Sequence, residues 1–248
     1  THTHTHTHTH THTHTHTGDI TKNSVSAQAA AAHIVASSGG GRGGITGPRL
    51  VSLLPLLGSG AGSADSARPR QHDAMRHIAY LATLIPPHTF NPSSCATLLN
   101  VLLSHRAPTA QETDRDLRVY DHVRKALWAT PPGRLVPRNR AAVVALTACI
   151  AALAKLSRPL HAPADKKLLV ELATAVIKGR RSWLITPHVL ATVANSLSKA
   201  GVRDVPVLRS IALAVRGSAR ADMQARDCAL LLNAFAQLSL IDEPLLTL

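Results

Sequence analysis

Two segments near the C-terminal end of the sequence match each other at a fixed offset, and this internal repeat constrains the fold more than any other feature. Shifting residues 191–208 by 38 positions onto residues 229–246 aligns identical residues at Ala191/Ala229, Asn195/Asn233, Asp204/Asp242, Pro206/Pro244 and Leu208/Leu246. Each copy has the pattern of a helix, a short turn and a second helix opened by Asp-x-Pro. A period of this length with two helices per copy is typical of stacked helical hairpins.

Weaker copies of the same pattern occur earlier in the chain. Residues 95–100 are similar to 228–233, and residues 146–155 follow the pattern of 190–199 with Ala151 at the asparagine position. The intervals between these anchors are 51, 44 and 38 residues, a variation that loops on one edge of a stack accommodate. The repeats therefore predict an all-α fold, an α-solenoid of about four to five stacked helical hairpins.

The pattern Ala229-x-x-x-Asn233-Ala-Phe-Ala-x-Leu238, followed by Asp242-x-Pro244, resembles the degenerate helical repeats of octotricopeptide and heptatricopeptide repeat proteins. These organellar RNA-binding proteins often end in a RAP domain. The resemblance covers residues 92–248 and is clearest over 186–248; it implies that the first helix of each hairpin lines a groove that holds single-stranded RNA. The chain begins at Thr1 and stops at Leu248, inside the expected last helix, so we expect a fragment at both ends.

Residues 1–66 and 67–248 differ enough in composition to predict a low-complexity extension followed by the helical-repeat domain. Residues 1–17 alternate Thr and His; a His-rich tract can hold a transition metal, although a repeat expansion without a function explains it more simply. From Ile20 to Ala64 there is no acidic residue, and Gly, Ser and Ala dominate. This composition is typical of an organellar transit segment and predicts a mitochondrial location.

Apolar periodicity, helix-start residues and Gly/Pro stops predict nine helices after residue 67. The predicted ranges are 73–85, 93–105, 113–129, 138–156, 165–178, 187–199, 205–216 and 223–238, with a last helix that starts at Asp242. Thr186, Asp204 and Asp222 are the predicted N-caps of three of these helices. Gly201 is predicted to end the helix before it in the left-handed conformation.

Positive charge in the repeat region indicates a polyanionic partner. Residues 67–248 contain 24 Lys and Arg against 12 Asp and Glu, an excess that favours nucleic acid, although a basic composition also serves import or solubility. The predicted RNA-binding cations lie at helix ends: Lys178, Arg180, Arg181, Lys199, Arg216 and Arg220. Stacked second helices would bring all of them except Lys199 to one edge, about 20 Å apart from repeat to repeat. The alternative is that these cations only compensate the helix dipole, but one cation per helix is enough for that role, which leaves Arg180, Arg181 and Arg220 unexplained.

Asn100, Asn195 and Asn233 recur at one position of the predicted first helices, where the resemblance implies contact with RNA bases. The alternative is that each asparagine bonds a neighbouring loop carbonyl and fixes the stacking of hairpins. Aromatic residues are few, which leaves little base stacking. Binding would therefore rely on phosphates and depend on salt.

The sequence contains no arrangement that predicts catalysis, a cofactor or a metal centre. Cys95, Cys149 and Cys228 share no short spacing, so we expect buried, reduced thiols. No apolar run reaches the roughly 18 residues that a membrane span requires. These absences lead us to predict a protein that is neither an enzyme nor embedded in a membrane.

The function predicted from these features is RNA binding by a structural component of a mitochondrial ribosome, in contact with ribosomal RNA and neighbouring proteins of the particle. Two alternatives remain open: an organellar factor for transcript stability or processing, and an armadillo-like protein scaffold whose groove holds a peptide.

Overall fold

The computed structural model describes residues 51, 75–76, 78–104, 110–156, 163–179, 185–217 and 223–240. Within these ranges the protein is helical and contains no strand, which confirms the predicted all-α class. Residues 75–76 and 78–82 are helical, and a 3-10 helix follows at Pro87–Thr89. The longer elements are α1 (Pro92–Ser104), α2 (Ala110–Ala129), α3 (Pro132–Leu135), α4 (Arg140–Leu156), α5 (Pro163–Lys178), α6 (Pro187–Lys199), α7 (Val205–Arg216) and α8 (Ala225–Gln237).

Side-chain caps define the starts of several helices. The side-chain oxygen of Asp204 accepts a hydrogen bond from the Val207 amide at 3.0 Å, and that of Thr186 accepts one from Val189 at 3.4 Å. Each satisfies an amide that has no partner inside its helix. Gly201 has a φ of 63° and ends the turn after α6. The predictions for Thr186, Asp204 and Gly201 are therefore confirmed.

The helices pack in two series that alternate along the chain. In the first series α1 contacts α4, α4 contacts α6, and α6 contacts α8; in the second, α2 contacts α5 and α5 contacts α7. Neighbours in sequence also pack as pairs, α1 with α2, α4 with α5, and α6 with α7. Large side chains that are fully buried, such as Leu98, Ile150 and Leu197, fill the space between helices. Buried alanines such as Ala191 and Ala194 let the helix backbones approach closely.

Two local predictions differ from the structure. The sequence Pro131-Pro132-Gly133 predicts only the end of a helix, but Pro132 starts α3, and Leu135 at its end is buried. The helix predicted from Met223 begins at Ala225, and its N-cap position falls on Gln224, without a side-chain cap bond, rather than on Asp222, which lies outside the described residues. The structure also shows that His122 of α2 is only 7% exposed and lies on the buried face of the helix.

Parts of the sequence-based predictions fall outside the described residues. These are the Thr–His tract, the transit-like segment except Val51, and the helix that would begin at Asp242. Val51 itself is helical, 3% exposed and part of the hydrophobic core.

Candidate nucleic-acid interface

Lys178 is the last residue of α5, and its side chain is exposed. It lines an open groove of about 450 Å³ between α5 and α7, whose other lining residues are Thr174, Ile177, Pro206, Val207 and Ser210. The groove floor is mostly apolar, because only two of these residues carry hydroxyls. The cation therefore stands at the rim of a concave surface.

Arg216 is the last residue of α7 and is half-buried. Its Nε atom is buried and has no hydrogen-bond partner within the described part of the chain. Lys178 faces Pro206 and Ser210 in the first half of α7. Because Arg216 follows Pro206 by ten residues, it lies about 15 Å farther along the helix axis. The structure therefore does not set Lys178 directly beside Arg216, and Arg180, Arg181 and Arg220 lie outside the described residues.

Lys199 lies at the exposed C-terminal end of α6. Residues 200–204 connect α6 to α7, and so short a connection makes the two helices antiparallel. The C-terminal ends of α6 and α7 consequently point in opposite directions. Lys199 and Arg216 thus belong to opposite edges of the helix layer.

The three recurrent asparagines lie on α1, α6 and α8, all in the first series of helices. Asn100 and Asn233 are exposed, whereas Asn195 is half-buried. The side chain of Asn233 accepts a hydrogen bond from Gln237 Nε2 at 3.3 Å, and Gln237 Oε1 accepts one from Ser198 on α6 at 2.5 Å. Asn233 is therefore joined to the adjacent helix through a side chain rather than a loop carbonyl.

A second polar contact joins the N-terminal ends of α6 and α8. Nδ1 of His188 donates to Oδ1 of Asp227 at 2.8 Å, and the Asp227 side chain is only 1% exposed. Together with the bond between Ser198 and Gln237 near the C-terminal ends, this contact fixes α6 and α8 in a parallel arrangement. Sequence reasoning missed it, because Asp227 in the first turn of a helix is already explained by the helix dipole.

Ion pairs are concentrated on α2. Arg124 lies 2.6 Å from Asp121 and 3.5 Å from the buried Asp165 of α5. Lys125 pairs with Asp121, and Arg118 with Asp114. Hydrogen bonds from Lys125 and Arg124 lower the pKa of Asp121 against the opposing effect of burial.

The described lysines and arginines of α3 to α8 are not paired in this way. Between residues 132 and 240, no described Lys or Arg lies within ion-pair distance of a described carboxylate. Three of the four described carboxylates there have other partners: Asp165 pairs with Arg124, Asp204 caps α7, and Asp227 bonds His188. Sequence reasoning also missed exposed cations of this region, namely Arg134, Arg138, Arg140 and Arg226. Their common signal was an arginine next to a helix start.

Within the described residues, potential metal ligands are dispersed and two of the three cysteines are buried. No group of three or more His, Cys, Asp or Glu residues within it is arranged to hold a metal ion. Cys95 and Cys149 are buried free thiols, as predicted, but Cys228 is only half-buried. Burial raises the pKa of Cys95 to about 12, so its reactive thiolate form is suppressed.

Comparisons with known proteins add no family assignment. No family model matches the chain, and no curated protein or solved structure is similar enough to be matched. None of the described helices has both the length and the apolar character that crossing a membrane demands.

Proposed function

We propose that the protein is an α-solenoid that binds RNA through the phosphate backbone. The observation that carries this proposal is the absence of carboxylate partners for the described cations of α3 to α8. Residues 132–240 contain sixteen Lys and Arg against five Asp and Glu. Uncompensated positive charge on a helical surface favours a polyanion, and phosphate contacts supply most of the affinity in such binding.

Support for the solenoid comes from the order of helix contacts and from the spacing of the polar bonds between helices. Each first-series helix contacts the next one in that series. Whereas the bond from Cys149 of α4 to the Pro92 carbonyl of α1 spans 57 positions, five of the hydrogen bonds and ion pairs between neighbouring units join residues that are 36 to 41 positions apart. This spacing agrees with the 38-residue period of the sequence, as expected when each unit packs on its successor.

We further propose that the setting is a mitochondrial ribosome, where the solenoid contacts ribosomal RNA and neighbouring proteins. The variable repeat intervals support fixed structural contacts over a portable sequence code, because a code requires units in constant register. The acid-poor composition of residues 20–64 supports import into the organelle.

The proposal is tested by titrating the full chain with an unstructured 30-nucleotide RNA at several salt concentrations. If five phosphates are contacted, the logarithm of the binding constant should fall with the logarithm of salt with a slope of about −3.5, at roughly 0.7 per phosphate of a single strand. Failure to bind at low salt would reject the proposed function.

The same idea is tested on native particles by nuclease treatment followed by sedimentation. Loss of co-sedimentation after nuclease treatment supports an RNA contact. Persistence of the association instead favours a protein scaffold that binds peptides. Stoichiometric co-purification with ribosomal proteins distinguishes the ribosomal setting from a free transcript factor.

A further inference from the structure

The segment that leads from α3 into α4 carries three exposed arginines on a buried anchor. Arg134, Arg138 and Arg140 are exposed, whereas Leu135 and Pro137 between them are buried. The two buried residues hold the segment against the helices beneath it. The guanidinium groups are consequently attached to a fixed backbone rather than to a free loop.

A close contact fixes this segment to the end of α5. A Cβ atom added to Gly179 would lie 2.6 Å from Cγ and 2.8 Å from Cδ of Pro137. Distances below about 3.0 Å are not tolerated between carbon atoms in a packed interior. Glycine therefore permits the approach, and it places Arg138 and Lys178, each one residue from the contact, at the same edge of the molecule.

The four cations at this edge have no ion-pair partner among the described residues. None of Arg134, Arg138, Arg140 and Lys178 lies within ion-pair distance of a described carboxylate. Arginine presents a planar fork of donors that binds phosphate oxygens in pairs, and lysine adds a point charge. Three arginines and one lysine can therefore bind a polymer that carries a negative charge on every unit.

We propose that Arg134, Arg138, Arg140 and Lys178 bind consecutive phosphates of an RNA strand. The site rests on the proposed function and specifies where the strand crosses the protein. RNA fits better than an acidic polypeptide, because the excess of cations continues over residues 132–240 and matches a polymer that is charged throughout its length.

The first test compares two double variants of the full chain that lose the same net charge. Arg138→Gln/Arg140→Gln removes cations of the proposed site, whereas Arg118→Gln/Lys125→Gln removes cations that are paired on α2. In the titration with the 30-nucleotide RNA, the first variant should bind on the order of tenfold more weakly at 0.1 M salt, with a salt slope reduced by about 1.4. The α2 variant should keep the wild-type slope.

Equal losses of RNA affinity in both variants would show that only net charge matters and would overturn the proposed site. Binding of RNA by Arg138→Gln/Arg140→Gln with wild-type affinity would also overturn it. If the wild-type chain itself does not bind RNA, the proposed function fails together with the site. Poly-glutamate is the alternative probe. If poly-glutamate competes with the RNA at equal charge concentration, and if its binding is weakened by the same arginine substitutions, the result would favour an acidic protein over RNA as the partner.

The second test perturbs the arrangement without changing any charge. Gly179→Ala should displace the end of α5 from Pro137 and weaken RNA binding severalfold. Gly133→Ala is the matched control, because no atom lies within 4 Å of its added Cβ. Equal RNA affinity of the two folded glycine variants, checked by circular dichroism, would contradict the proposed geometry. If Gly179→Ala does not fold, the arginine variants decide the question.

Discussion

The lysines and arginines of α2 differ from those of α3 to α8 in whether they form ion pairs with carboxylates of the protein. The sequence of α2 contains four acidic and four basic residues, and its described ion pairs join α2 to itself, to Arg76 and to Asp165 of α5. The later helices have an excess of cations, and none that the structure describes pairs with a described carboxylate. Charge on α2 is thus balanced within the fold, whereas the described cations of the later helices have no carboxylate partner.

The comparison separates a stabilising role from a binding role. A cation that neutralises a buried carboxylate contributes to folding, because loss of the pair leaves a charge without solvation. An exposed cation without a partner contributes little to folding and remains available to a ligand. Substitutions in the two regions should therefore affect different measurements.

The largest effect should come from replacing Lys178, Arg180, Arg181, Arg216 and Arg220 together by Gln. Loss of each of the five that contacts a phosphate should reduce the salt slope of RNA binding by about 0.7, so the slope should fall by at most about 3.5, and affinity at 0.1 M salt should drop by about a hundredfold if all five do. Salt-dependent fluorescence anisotropy measures both quantities. Unchanged affinity at moderate salt would exclude these five cations as RNA contacts. Arg118→Gln/Lys125→Gln removes two charges rather than five, so its effect on affinity is compared per charge removed.

Arg124→Ala should instead lower the free energy of unfolding and leave RNA affinity unchanged. The change removes the partner of Asp165, whose side chain is 7% exposed. A buried polar group left without its partner costs about 1–3 kcal/mol, which urea unfolding can resolve. Arg118→Ala is the control, because both partners of its ion pair are largely exposed and its loss should cost less than about 1 kcal/mol. A fall in RNA affinity for Arg124→Ala would break the division between the two regions.

The sequence was sufficient to predict the features that depend on local chemistry. Thr186, Asp204 and Gly201 act within one turn of a helix, so their roles follow from backbone geometry alone. The boundaries of α6 and α7 were correct for the same reason. By contrast, α3 was missed, because Pro-Pro-Gly indicates a break unless the burial of Leu135 against other helices is known.

Of the proposed phosphate contacts, the sequence predicted Lys178 but neither the three arginines of residues 134–140 nor the arrangement of these cations. The sequence shows that Lys178 and Arg216 end equivalent helices, yet it does not show how far α7 is shifted along α5. The groove places Lys178 beside the first half of α7. Likewise, the roles of Arg134, Arg138 and Arg140 depend on the contact between Gly179 and Pro137, two residues 42 positions apart. Such shifts and contacts are set by tertiary packing, which no short pattern encodes.

The smallest predicted effect concerns the buried imidazole of α2. Burial, with a contribution from Lys125, lowers the pKa of His122 against the opposing effect of Asp121, and its ring lies edge-on to Phe90 with centroids 5.1 Å apart. The unfolded chain therefore binds more protons than the folded one as pH falls below about 6.5, and stability declines there by at most about 1.4 kcal/mol per pH unit for one group. His122→Leu should flatten the dependence of the unfolding free energy on pH between 7 and 5, whereas His88→Leu at an exposed position should not. An identical pH profile for His122→Leu and the wild-type chain would show that the acid sensitivity of folding does not arise on α2.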